Sequence, residues 1–116
     1  MAARETSSDR ADWLSIGLLA ALCVLAVAVF RDYGISNDEE VQHRYGELIL
    51  DYYLSGLRDV SVFHYKNLYL YGGLFDIVAV LLAKFLPFDI YLIRHLLSAL
   101  IGIGGIAAAF ATARLI

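Results

Sequence analysis

The sequence predicts an all-α membrane protein with three transmembrane helices and an amphipathic interfacial helix in its first external loop. Hydrophobic residues make up 60% of the 116 residues, against roughly 45–50% in ordinary soluble domains. Three apolar runs contain most of this excess, and the charged residues, 18% of the chain, cluster beside and between them. A net charge of -3 provides no basic surface, so we do not expect nucleic acid as a partner.

Residues 1–13 form a polar tail of mixed charge, which its composition predicts to be disordered. Residues 14–30 contain no charged side chain and match the roughly 17–25 residues of a transmembrane helix. A cleavable signal peptide would combine a basic tail with a small-residue cleavage site, whereas this tail carries Glu5, Asp9 and Asp12. The first run is therefore interpreted as a retained membrane helix.

The second predicted transmembrane helix covers residues 67–86, and a short loop at 87–91 precedes the third helix at 92–116. Tyrosines crowd the start of the second run, as in the aromatic belt at a membrane surface. Small residues recur every three or four positions on one face of the third helix, and such faces allow close packing against a partner helix in lipid. These predicted helix-packing residues are Ser98, Gly102, Gly105, Ala109 and Ala113.

The ionisable residues within or beside the second and third runs include Asp76, Arg94 and His95. Asp76 lies in the middle of an apolar segment, where a carboxylate either binds neighbouring helices together or lines a polar cavity; both interpretations stay open. Arg94 and His95 begin the third run, and we expect them to anchor it at the membrane surface.

Residues 31–66 form a loop that is too long for a simple connection. Near residues 37–54, Val41, Tyr45, Leu48 and Tyr52 recur with helical spacing, and charged residues occupy much of the opposite side. This pattern predicts an amphipathic helix lying on the membrane with its apolar face toward the lipid. Positive charges are denser in the shorter predicted inner segments than in this loop, which favours a cytoplasmic N-terminus.

The start of the predicted surface helix is acidic. Ser36 and Glu39 have the spacing of a capping box, in which each side chain accepts a bond from the other's backbone amide. Capping by this pair would leave Asp38 free for chemistry. Glu39 or Glu40 with His43 provides too few ligands for a closed metal site, although a divalent cation held by Asp38, Glu39 and other loops stays open.

Two segments resemble one family of membrane enzymes. The loop begins ISNDEE from Ile35 to Glu40, and the third helix begins RHLLSALIG from Arg94 to Gly102. Together with the order of helices and loop, these segments resemble the N-terminal part of GT-C membrane glycosyltransferases, such as protein O-mannosyltransferases and lipid A aminoarabinose transferases. The resemblance implies a bacterial inner-membrane protein whose loop faces the periplasm.

The resemblance also implies a reaction. The donor would be a polyprenyl-phosphate-linked sugar, with Asp38 as general base on an acceptor hydroxyl and Glu39 beside it. Leaving phosphate needs cations, for which Arg58 and Lys66 are candidates, with Asp76 as a further substrate-binding residue. Because the family uses many more than three helices, we expect either the front part of a longer enzyme or a non-catalytic accessory subunit of a larger membrane complex.

Overall fold

The computed structural model describes the backbone of residues 2–115 and the side chains of residues 9–115. This part of the chain is helical and contains no β-strand. Its α-helices are α1 (Ala2–Val29), α2 (Asn37–Leu54), α3 (Leu74–Phe85) and α4 (Ile90–Ala113). Two short 3-10 helices, Ser61–His64 and Leu68–Leu70, lie between α2 and α3.

The described residues form two compact units. The first, called the loop unit, is Tyr33–His95; it includes α2, α3 and the start of α4. The second, called the terminal unit, includes the segments up to Asp32 and from Leu96 onward. The two units are described separately.

Helices α1 and α4 each contain a segment long and apolar enough to cross a membrane, Asp9–Val29 and Ile90–Ala113. Within the terminal unit, Arg114 Nη2 lies 2.8 Å from Asp12 Oδ2. The structure continues α1 to Ala2, where composition predicted a disordered tail. Helical hydrogen bonds run through this polar segment because no glycine or proline interrupts it.

The predicted second transmembrane segment, 67–86, is not one helix in the structure. The 3-10 helix Leu68–Leu70 is followed by Gly72 with a φ of 78°, and α3 begins only at Leu74. A residue in the left-handed region cannot continue an α-helix. The 12 residues of α3 rise about 18 Å, which is less than the roughly 30 Å thickness of a bilayer's hydrocarbon core.

The apolar side of α2 is buried inside the loop unit. Tyr45 and Leu48 form a hydrophobic core with Val62, and Ile49 and Tyr52 pack around them. This packing explains why an 18-residue helix with many charged residues is stable, since burial of one apolar face supplies most of a helix's stability in a protein.

Gly46 allows α2 and α3 to approach closely. A Cβ atom at this position would lie 2.6 Å from the backbone oxygen of Asp76 and 2.9 Å from Val80 Cγ2. Carbon atoms do not approach a backbone oxygen this closely, so any side chain would push α3 away. Gly46 is thus the contact point of the two helices.

The first prediction concerns this contact. Gly46→Ala should destabilise the folded chain by about 1–3 kcal/mol through overpacking, although alanine in a helix is by itself favoured over glycine by about 1 kcal/mol. Thermal unfolding in detergent micelles measures the change. Gly104→Ala is the matched control, because Gly104 is also helical and nothing lies within 4 Å of its added Cβ. An unchanged melting temperature for Gly46→Ala would contradict the proposed contact.

Candidate functional site

Arg94 is the most deeply buried charged residue that the structure describes. Only 3% of its surface is exposed, and its Nη2 atom donates to Asp76 Oδ1 at 2.9 Å and to Gln42 Oε1 at 2.6 Å. The guanidinium carbon also lies 5.0 Å from the centre of the Phe75 ring. A buried charge is tolerated only with such partners, so Arg94 joins α2, α3 and the start of α4.

The neighbouring residue His95 makes a second link between α4 and α2. Its Nε2 atom lies 3.0 Å from Glu39 Oε1, and both side chains are largely buried. The Tyr33 ring meets the imidazole edge-on, with the ring centres 5.5 Å apart. The prediction that Arg94 and His95 anchor the chain at the membrane surface is therefore wrong, because both side chains bind groups within the loop unit.

The predicted capping box is also not formed. Ser36 occupies the N-cap position of α2, but its side chain makes no capping hydrogen bond. The Glu39 carboxylate is bound to His95 instead. A partly buried charge-assisted bond to an imidazole is stronger than a bond to a solvated backbone amide, so the tertiary contact prevails over the local one.

The loop unit contains a polar cavity of about 570 Å³. It brings together three of the predicted site residues, Asp38, Lys66 and Asp76. The remaining lining residues supply amide, phenol and apolar groups: Val41, Gln42, Tyr45, Leu68, Tyr71 and Gly72. Carboxylate, ammonium and phenol groups are the kinds of group that bind a polyhydroxylated, negatively charged ligand.

The lining residues of the polar cavity differ in their ion pairs, in the pKa of their side chains and in backbone conformation. Asp38 is exposed and free of the ion pairs that hold Glu39 and Asp76. Burial, and secondarily the charge of Asp76, raises the pKa of Tyr45, so its phenol stays protonated and can donate a hydrogen bond. Lys66 and Asn67 have φ angles of 49° and 57°, a left-handed conformation that asparagine tolerates but that is uncommon for lysine.

Two predicted site residues lie outside the polar cavity. Glu39 is bound to His95 and does not line it. Arg58 lies in the exposed segment after α2, where its backbone amide donates to Ser55 Oγ at 3.2 Å. Lys66, rather than Arg58, is therefore the cation that the structure places with Asp38.

The described residues contain no cluster of typical metal ligands. No group of three or more His, Cys, Asp or Glu side chains among them lies close enough to hold a metal ion. Asp38 and Glu39 therefore have no third His, Cys, Asp or Glu ligand within this part of the chain.

The predicted helix-packing residues all lie on exposed positions of α4 in the terminal unit: Ser98, Gly102, Gly105, Ala109 and Ala113. A Cβ atom added at Gly102 or Gly105 would find nothing within 4 Å beyond the helix itself. This face is accessible in the described structure, as a surface for a partner helix must be.

Sequence reasoning missed Gln42, Tyr45 and the buried role of Arg94. Gln42 and Tyr45 gave no signal of their own, because each fits an ordinary amphipathic helix. For Arg94 a signal existed, since an aspartate within one apolar run and an arginine near the start of the next can neutralise each other in a low-dielectric site.

Comparison of the chain with protein-family models, with curated proteins and with solved structures finds no match. Function is therefore inferred from the side chains of the loop unit and from the local resemblance of the two segments.

The second prediction tests the buried ion pair. Arg94→Met leaves the Asp76 carboxylate buried without its cation and should cost about 3–5 kcal/mol of stability. Adding Asp76→Leu should recover much of this loss, because no unpaired charge then remains. Chemical unfolding in micelles measures both variants. Arg44→Gln removes the exposed Arg44–Glu47 pair and should leave stability unchanged; an equal loss there would contradict the importance of burial.

Proposed function

We propose that the chain is the membrane portion of a glycosyltransferase that uses a polyprenyl-phosphate-linked sugar. The observation that carries this proposal is the polar cavity, whose lining residues include Asp38 and Lys66. Transfer from a sugar phosphate needs a base for the acceptor and a cation for the leaving group. The family resemblance implies the base role for Asp38, and Lys66 is one of the two candidate cations.

In the proposed reaction, Asp38 accepts the proton of an acceptor hydroxyl as its oxygen attacks the anomeric carbon. The bond between that carbon and the phosphate oxygen breaks, and the phosphate leaves with the bonding electrons. Lys66 stabilises the negative charge on the phosphate. Glu39 supports the site indirectly, because its bond to His95 fixes the first turn of α2, to which Asp38 belongs.

The proposed topology has two membrane spans, α1 and α4, and a cytoplasmic N-terminus in a bacterial inner membrane. Both helices have the necessary length, and the residues that connect them, including 67–86, would lie on the external side. Under this topology the polar cavity faces the periplasm, where lipid-linked sugars serve as donors for this family. No divalent cation is needed for the proposed step, since Lys66 supplies the positive charge.

The third prediction tests the base. Asp38→Asn, introduced at the chromosomal locus of the source organism, should lower sugar transfer by about 100- to 10,000-fold, the range for loss of a general base. Transfer from a radiolabelled polyprenyl-phosphate sugar in membrane vesicles is the measurement. Glu40→Gln is the matched control, because Glu40 lies in the same turn but does not line the polar cavity, and its transfer rate should be unchanged.

Topology provides a second arm of the same experiment. In a Cys23→Ser background, Asp38→Cys should react in intact spheroplasts with a maleimide that cannot cross membranes. Full transfer by Asp38→Asn would exclude the base role, and absence of labelling would exclude an external cavity.

A second candidate function is a non-catalytic accessory subunit that packs through α4 against a larger membrane complex. The observation that favours it is the exposed small-residue face from Ser98 to Ala113. In lipid, such faces associate by close backbone packing. The occupant would be a transmembrane helix of another subunit.

The fourth prediction tests this packing. Gly105→Leu should release the protein from a partner that co-purifies from native membranes, because the larger side chain prevents close approach of the helices. Gly104→Leu is the control, since Gly104 is also exposed but lies off the small-residue face. Quantitative pull-down in mild detergent is the measurement, and retention of the partner by Gly105→Leu would exclude this face as the contact.

A further inference from the structure

A second cavity of the loop unit, of about 350 Å³, is lined without a single charged residue. It lies between the second half of α2, the 3-10 helix Ser61–His64 and the beginning of α3. Aromatic rings dominate its wall, and Gly72 and Gly73 contribute only backbone. This apolar cavity contrasts with the polar cavity described above, where charged side chains are present.

Four lining side chains of the apolar cavity are at the same time exposed: Tyr53 (61%), Phe63 (42%), Tyr69 (44%) and Leu74 (79%). We call them the apolar rim. Ring contacts connect the three aromatic members, since Phe63 packs edge-on against both Tyr52 and Tyr69, and Tyr52 packs against Tyr53. Leu74 belongs to the rim through the shared lining of the cavity. The aromatic part of the rim is thus one continuous patch and not a scatter of single exposed side chains. Contiguous apolar patches of this kind mark interaction sites.

We infer that the apolar rim is the surface through which the loop unit inserts into the lipid headgroup region of a membrane. Its composition is that of an interfacial belt, in which tyrosine places its ring toward the acyl chains and its hydroxyl toward water. The exposed side chains of Leu54, Leu70 and Tyr71, next to the rim in the sequence, extend the same apolar character.

Lipid is favoured over a protein partner by the connections of the loop unit. At both ends its chain continues into helices long enough to cross a membrane, α1 before it and α4 after it. Insertion of these helices would hold the loop unit close to the bilayer surface, so its effective concentration there would be high. A separate protein would have to bind from solution. An uncharged rim has no groups to repel the acyl chains.

The inference differs from the one drawn from helical periodicity. The pattern of α2 predicted that Tyr45 and Leu48 face lipid, but these residues form the protein core. The lipid-facing surface is instead built from the end of α2, the 3-10 segment and the first turn of α3. This inference does not depend on sugar transfer and can stand or fall separately from it.

Fluorescence quenching tests the inference on the full chain reconstituted in phosphatidylcholine and phosphatidylglycerol vesicles. The only tryptophan is Trp13, so Trp13→Phe provides a silent background for Tyr53→Trp and Tyr69→Trp. With lipids brominated on the acyl chains, each reporter should lose about half of its emission, as expected for a ring at the interfacial level. Glu40→Trp is the matched control; it should be insensitive to brominated lipid and quenched by acrylamide from water.

A second measurement avoids the bulk of tryptophan. Spin labels on Tyr53→Cys and Glu40→Cys, both in a Cys23→Ser background, report collision with oxygen, which concentrates in lipid, and with a water-soluble nickel chelate. The Tyr53 site should favour oxygen and the Glu40 site nickel. Preference of the Tyr53 site for nickel would overturn the inference in favour of a water-exposed rim. Protection of that site from both reagents would overturn it in favour of a protein cover.

Discussion

The buried guanidinium of Arg94 is the constraint on which the loop unit depends. Removing a charge from water is so unfavourable that the surrounding structure must supply compensating groups. Asp76 supplies the opposite charge, Gln42 a carbonyl oxygen and Phe75 the face of a ring. Because these groups come from α2 and α3, the start of α4 can take only one position relative to them. Gly46 then lets α2 reach the backbone of Asp76.

The same ion pair determines the charge of the polar cavity. Asp76 lines this cavity, but its carboxylate is bound to Arg94. The charged lining residues outside this ion pair are Asp38 and Lys66, which are the charges available to the proposed ligand. Had Asp76 been unpaired, two carboxylates would have opposed the binding of a phosphate. Structural and site-lining interpretations of Asp76 are thus compatible, since the residue that holds the helices together also removes a repulsive charge from the site.

The loop unit contains a polar and an apolar cavity with different linings. Its polar cavity is lined by Asp38, Lys66 and Asp76, and its apolar cavity is lined only by uncharged residues. Tyr45 and Gly72 belong to both linings, so the two cavities are adjacent. Helix α2 contributes to both, which its sequence could not reveal, because an apolar stripe at helical spacing is the same whether lipid or protein covers it.

The sequence by itself determined the helical class, the two long apolar segments and the acidic start of α2. These features are local, since they follow from runs of apolar residues and from helical spacing within one segment. Only the tertiary structure decided the partners of Glu39, Asp76, Arg94 and His95 and the burial of Tyr45. These contacts form between side chains that are distant in the sequence, such as Glu39 and His95. A local sequence pattern does not encode the partner of a buried charged residue. The break at Gly72 also needed the structure, because hydropathy continues across residues 67–86 although the backbone turns there.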